Sequence, residues 1–240
     1  MTARSFQRVS RRRWWASLLV PLVVLLPLSA GFHLGDWDRT VMGMILANGG
    51  FLDRGEGLAG FLYRYGVLPA LLCGLGGFVY SFYARRRKQS RVKRATALAL
   101  ALTLLLGPGL LVNTVFKHHY GRPRPLQTEG FGGELPFLAV GIPGPHDVAR
   151  SFPSGHSSMG FYFFIFYFLA TGLGCRRPWI WLLVALAGGM ALGTVRVLQG
   201  GHWPSDVLWA GGMVWYSALA VSWFLGIFRP EEKALARHGN

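Results

Sequence analysis

The chain has 240 residues, 52% hydrophobic and only 15% charged, a balance too apolar for an ordinary soluble domain. Its 25 Lys and Arg against 10 Asp and Glu give a formal net charge of +15, but the cations sit beside apolar runs, which favours a membrane protein over a nucleic-acid binder. Two cysteines, Cys73 and Cys175, are too few for a disulfide framework or a cysteine metal site.

Stretches approaching the roughly 20 apolar residues that cross a bilayer predict an all-α, six-helix transmembrane bundle. The first helix runs from about Trp14 to Phe32. It follows a basic stretch and ends near Ser29, Ala30 and Gly31, a pattern shared with cleavable signal peptides, although its apolar run is long for a signal core. The second spans about Leu58 to Tyr83; Arg64 interrupts its start, and residues 49–60 could instead lie along the membrane surface. The third covers Ala95 to about Phe116. A long Gly- and Pro-rich segment, Lys117 to Phe152, carries Glu129, Glu134 and Asp147. The fourth helix spans Gly155 to Leu173, the fifth Trp179 to Leu198, and the sixth Asp206 to Phe228.

Letting the spans alternate from a cytoplasmic amino terminus places seventeen of the 25 Lys and Arg inside, near the amino terminus (Arg4 among them), between Arg85 and Arg94, at Arg176 and Arg177, and at Arg229, Lys233 and Arg237. Both termini are therefore expected in the cytoplasm of a cell bounded by this inner membrane. Trp14, Trp15, Trp179 and Trp181 fall at inner boundaries and Trp37 and Trp203 at outer ones, as anchoring tryptophans do. No repeat or linker divides the chain, so residues 1–240 read as a single transmembrane domain.

Three polar blocks interrupt the apolar background: Lys117 to Pro125 (KHHYGRPRP), Phe152 to His156 (FPSGH) and Arg196 to Asp206 (RVLQGGHWPSD). The topology puts all three at helix ends on the non-cytoplasmic face. Lys117, Arg124 and Arg196 suit a phosphate, the Arg forks in bidentate fashion. Ser154 and Gly155 lead into a helix whose free N–H groups and positive dipole end favour an anion.

Two histidines divide the labour of phosphoryl transfer, and Asp206 assigns the roles. Four residues after His202, it can accept that ring's N–H and leave the other nitrogen to attack phosphorus, so His202 is the expected nucleophile and His156 the general acid. Taken singly, Ser154 and Ser205 read as helix caps and Asp206 as a dipole partner. Arg196 is harder to dismiss, since an unpaired charge at the bilayer centre costs roughly 2.5 to 3.5 kcal/mol. His118, His119, Tyr120, Arg122, His146 and Arg150 read as loop or headgroup-contact residues. A metal site from His118, His119 and His146 lacks a well-spaced acidic partner, so neither a catalytic metal nor a cofactor is expected.

In these blocks the sequence resembles the type 2 phosphatidic acid phosphatase superfamily, which groups lipid phosphatases, bacterial acid phosphatases and vanadium haloperoxidases. The family pattern is Lys, six residues, Arg-Pro; then Pro-Ser-Gly-His; then Arg, five residues, His, three residues, Asp. Lys117, Arg124 and Pro125 meet the first block, Pro153 to His156 the second, and Arg196, His202 and Asp206 the third. The resemblance implies phosphate binding by Arg124, not Arg122, and a helical bundle with its site on one face. Val195 stands where the family usually has Ser. The motifs cover residues 117–206 and leave the first two helices without a signature.

The function expected is a lipid phosphatase acting on a phosphorylated membrane lipid, with FPSGHSSMGF and QGGHWPSDVLWAG resembling the bacterial lipid A phosphatase branch. Phosphatidylglycerophosphate and undecaprenyl pyrophosphate are rival substrates. A lipid phosphotransferase would use the same residues, and a non-hydrolytic phospholipid transporter would leave the His202 and Asp206 pair unexplained. No nucleic-acid partner is expected, and the sequence is silent on oligomeric state.

Overall fold

A computed structural model describes residues 5–145 and 149–232. Arg4, His146, Asp147, Lys233 and Arg237 therefore lie outside the described residues. The described chain is helical, with no strand beyond two isolated bridges.

Helix α1 (Arg11–Leu34) starts where the Ser10 hydroxyl accepts the Arg13 N–H at 3.3 Å, a side-chain cap satisfying one free backbone donor. It contains Pro21 and Pro27 and shows its neighbours little buried surface: Val20 and Val23 are 57% and 69% exposed, as on a helix solvated by lipid. A helix absent from the sequence expectation follows, α2 (Trp37–Ala47), entered through Asp36 in the left-handed conformation (φ 55°).

The expected second span is two helices, α3 (Gly57–Tyr65) and α4 (Leu68–Arg86). The break falls where Pro69 enters the first turn of α4: proline lacks the N–H that would continue the preceding helix and suits a helix start. Helix α5 (Arg91–Leu104), capped by Ser90, runs into a π-helical stretch (Leu105–Phe116) and a last α turn, α6 (Lys117–His119). Pro108 lies in the π-helical stretch, where Asn113 Nδ2 donates to the Pro108 carbonyl and the Thr114 hydroxyl to that of Gly109, each five residues back.

The expected fourth helix is interrupted as well. It forms α7 (Gly155–Phe161) and α8 (Phe164–Gly172), each too short to span alone. Helices α9 (Trp179–Leu198) and α10 (Pro204–Phe224) complete the bundle. Among the described residues, five helical segments are long and apolar enough to cross a membrane: Arg11–Leu34, Gly57–Arg86, Arg91–His119, Trp179–Leu198 and Pro204–Phe224. The sixth expected crossing rests on α7 and α8 together.

Helix α10 is the hub, packing on α1, α5, α7, α8 and α9. Small residues let backbones approach: a Cβ on Gly160 of α7 would lie 2.4 Å from the Gly188 carbonyl of α9. Phe164, Phe168 and Tyr167 pack around Trp215 of α10. The ends of α6, α7, α9 and α10 thereby meet at one end of the bundle.

Candidate active site

The amino end of α10 organises this cluster. Asp206, fully buried in its first turn, accepts the Trp203 N–H (3.0 Å) and the Ser151 hydroxyl (2.6 Å) on Oδ2, and Arg122 Nη1 (2.6 Å) on Oδ1. His202 Nδ1 stands 3.4 Å from the same Oδ2, longer than a well-formed hydrogen bond and of the kind that tightens when substrate binds. With Nδ1–H turned to the carboxylate, Nε2 carries the lone pair and can attack. Burial of this ring, 2% exposed, is the main reason its pKa is held down to about 4; Asp206 opposes the shift, and Lys117 and Arg196 add to it. The imidazole is therefore neutral at neutral pH, with a ring lone pair available.

The wall opposite is built from α6 and α7. The Ser154 N–H donates to the Asp206 carbonyl (3.1 Å), joining the start of α7 to that of α10, while the Ser154 hydroxyl caps α7. The single-residue reading of Ser154 as a cap thus describes its geometry. Lys117 Nζ donates to Asn113 Oδ1 at 3.3 Å and overhangs Gly155: a Cβ there would lie 2.6 Å from that amide oxygen and 3.1 Å from the ammonium. Only glycine keeps the amino end of α7 open beneath Lys117.

Arg196, 4% exposed near the end of α9, donates from Nη1 to Gln199 Oε1 (2.7 Å), and its guanidinium lies 4.8 Å over the Tyr63 ring of α3. Tyr63 also stacks on His156 (centroids 4.8 Å apart, 14° between planes), and its carbonyl accepts the His156 Nε2–H at 3.1 Å. Arg124 is fixed through its backbone, whose N–H donates to Gln127 Oε1. Burial, and after it the positive charge of Arg54, lowers the Arg124 pKa from its ordinary value. Arg124 Nε, Arg196 Nε and Gln199 Nε2 are buried donors with no protein acceptor. Buried donors left over in this way are the signature of a site that receives an anion.

All eight residues singled out in the sequence, His202, His156, Asp206, Lys117, Arg124, Ser154, Gly155 and Arg196, thus gather at one end of the bundle. Over residues 95–229 the chain matches the PAP2 superfamily. The chain belongs to the PAP2 superfamily. It is 33% identical over 177 residues to the lipid A 4'-phosphatase of Francisella tularensis subsp. novicida, covering 71% of this chain and 77% of that protein. It is 32% identical over 221 residues to the lipid A 4'-phosphatase of Rhizobium etli (86% and 82%) and 38% identical over 142 residues to that of Rhizobium leguminosarum (57% and 59%). No solved structure shows significant similarity to it.

The PAP2 match begins within α5, yet two groups at the site come from before it, Tyr63 on α3 and Asp38 on α2. Asp38 corrects the reading of Arg122 as a loop or headgroup contact. Arg122 is fully buried, its fork donating from Nη2 to Asp38 Oδ2 (2.7 Å), from Nη1 to Asp206 and the Ser205 hydroxyl, and from Nε to the Leu138 carbonyl (2.9 Å). Burial alone would lower its pKa; the carboxylates of Asp206 and Asp38 outweigh that and raise it, so the charge is locked on.

Trp203 is a second correction. Expected at an outer membrane boundary, it is 1% exposed, donates from Nε1 to the Pro123 carbonyl (2.8 Å) and packs edge-on against Phe131 and Phe137. The Pro-rich loop folds back over the start of α10 and buries both residues. Tyr120 is half-buried, its hydroxyl accepting the Gly141 N–H and its ring stacking on Phe152 at 4.2 Å. Sequence reasoning missed Asp38, Tyr63, Asn113, Ser151 and Gln199, which carry no family motif and reach the site only through the fold.

Proposed function

We propose that this protein is a membrane lipid phosphatase that removes a phosphate monoester from lipid A by way of a phosphohistidine on His202. The observation that carries this reading is the His202–Asp206 pair set against a pocket of buried, unpartnered cationic donors. Three relatives named lipid A 4'-phosphatase support the choice of lipid. Among the described residues, Lys117, Arg122, Arg124 and Arg196, with Arg54 beside them, outnumber the buried carboxylates Asp38 and Asp206, an excess of positive charge that suits a phosphate dianion.

In the first step His202 Nε2 attacks phosphorus and the bond from phosphorus to the lipid oxygen breaks. His156, protonated on both nitrogens, keeps its Nε2–H on the Tyr63 carbonyl and gives the Nδ1 proton to that oxygen, so the dephosphorylated lipid leaves as an alcohol and a neutral ring remains to act as base. Asp206 stabilises the positive charge gained by the His202 ring, as an orienting carboxylate does in other histidine-based sites. Lys117, Arg124, Arg196 and the Gly155 N–H, which follows the Ser154 cap, hold the three equatorial oxygens, whose charge peaks in the transition state. Water then attacks phosphorus with His156 as base, releasing inorganic phosphate and restoring His202. The chain's own cations neutralise the charge, so the reaction proceeds without a metal or cofactor.

The excess of Lys and Arg at the opposite end of the bundle orients the protein with both termini cytoplasmic and the site at the periplasmic face of the inner membrane. Counting α7 and α8 as one crossing gives six spans, in a single domain. The test is phosphate release in detergent with EDTA present, from lipid A, phosphatidylglycerophosphate, phosphatidic acid and undecaprenyl pyrophosphate. The wild type is expected to prefer lipid A and His202→Ala to release none. Preference for another lipid would overturn the substrate, and equal release by His202→Ala would overturn the mechanism.

A further inference from the structure

Asp38 lies on a helix with no family signature, yet it is fully buried, and among the described residues its carboxylate is bonded to Arg122 and Ser205 beside the nucleophile. Its Oδ1 accepts the Ser205 N–H (3.0 Å), and its Oδ2 accepts the Ser205 hydroxyl (2.5 Å) and Arg122 Nη2 (2.7 Å). Arg122 spends its other arm on Asp206 Oδ1 at 2.6 Å, and Oδ2 of that carboxylate is the oxygen facing His202. A planar guanidinium holding two carboxylates fixes the plane of each, which a single-point ammonium cannot do. Without Asp38, Arg122 would have one carboxylate to itself and could close on both oxygens of Asp206, drawing Oδ2 away from His202.

We infer that Asp38 is a positioning residue for the reaction, acting through Arg122 to turn Asp206 Oδ2 toward His202. This rests on the reading of His202 as nucleophile and Asp206 as its orienting group. A merely structural alternative exists on the same bonds, since Asp38 also caps the amino end of α10 through Ser205. The two roles separate in a double-mutant cycle, because a residue acting through Asp206 has nothing to act on once Asp206 is changed.

The experiment uses full-length protein in detergent, with lipid A as substrate and phosphatidic acid as a second, and compares wild type, Asp38→Asn, Asp206→Asn and the double variant, each checked for a cooperative thermal transition. Asp38→Asn is expected to lower kcat about 100-fold with KM nearly unchanged, the size of effect that a displaced catalytic group produces. Asp206→Asn is expected to lower kcat about 10,000-fold, by analogy with the orienting aspartate of serine proteases. The double variant should then be no slower than Asp206→Asn. Full kcat in Asp38→Asn, or losses that multiply in the double variant, would overturn the inference alone. Full activity in Asp206→Asn, or an inactive wild type on both lipids, would overturn the reading beneath it as well. If Asp38→Asn does not fold, Arg122→Lys replaces it: the ammonium keeps the charge but not the fork, and the same loss of kcat, absorbed in the Asp206→Asn background, is expected.

Discussion

His202 combines near-complete burial with the charge of Asp206 at 3.4 Å, and burial wins: the ring's pKa falls to about 4. The unfolded chain titrates near the ordinary 6.5, so between pH 6.5 and 4 it binds a proton that the folded protein does not. Stability from this group is therefore present above pH 6.5 and lost as pH falls toward 4. Thermal midpoints in detergent should fall over that window, and His202→Gln should remove part of the slope; an identical slope in the variant would contradict the assignment. Gly155 makes a second residue-scale prediction. The atom nearest an added Cβ is the far end of the Asn113 side chain, which can move, so Gly155→Ala should melt within a few degrees of wild type. Its phosphate release should fall at least roughly tenfold, because the methyl group displaces Lys117 from the phosphate. Wild-type turnover would show that Lys117 does not bind there.

The helices differ in how far the sequence announces them. Helices α1, α9 and α10 are legible because each is a long apolar run bounded by a recognisable start, such as Ser10 before α1 or Pro204 in α10. The breaks at Gly66–Val67 and Tyr162–Phe163 are not, since apolar runs continue across both and hydropathy does not register an interrupted backbone ladder. Pro69 was the available signal for the first break. The motif residues were legible as a set because their spacing is specific, whereas Asp38 and Arg122 were not, because their partnership joins positions 84 residues apart. Packing of α7 on α9 is an element-scale consequence of Gly160: its added Cβ would meet backbone, which cannot swing aside. Gly160→Ala should cost about 1–3 kcal/mol, lowering the thermal midpoint, and an unchanged midpoint would show that α7 and α9 do not pack so closely.

At the scale of the whole molecule, apolar side chains face outward along α1, α4 and α9, as at Val23, Leu72 and Leu183, while the polar groups of the site turn inward at one end. That inversion suits a protein solvated by lipid, with its charged centre sheltered by helix ends. The proposed orientation places exposed Cys175, between α8 and α9, on the cytoplasmic side. In a Cys73→Ser background, a membrane-impermeant maleimide should label Cys175 only after cells are permeabilised; labelling in intact cells would invert the topology. The most direct test of the central claim is to trap the phosphorylated protein. Lipid A labelled with radioactive phosphate would be mixed with the enzyme and quenched in alkali within the first turnover. The account predicts an acid-labile, alkali-stable label on the peptide carrying His202, absent from His202→Ala. Label elsewhere, or label that survives in His202→Ala, would contradict it.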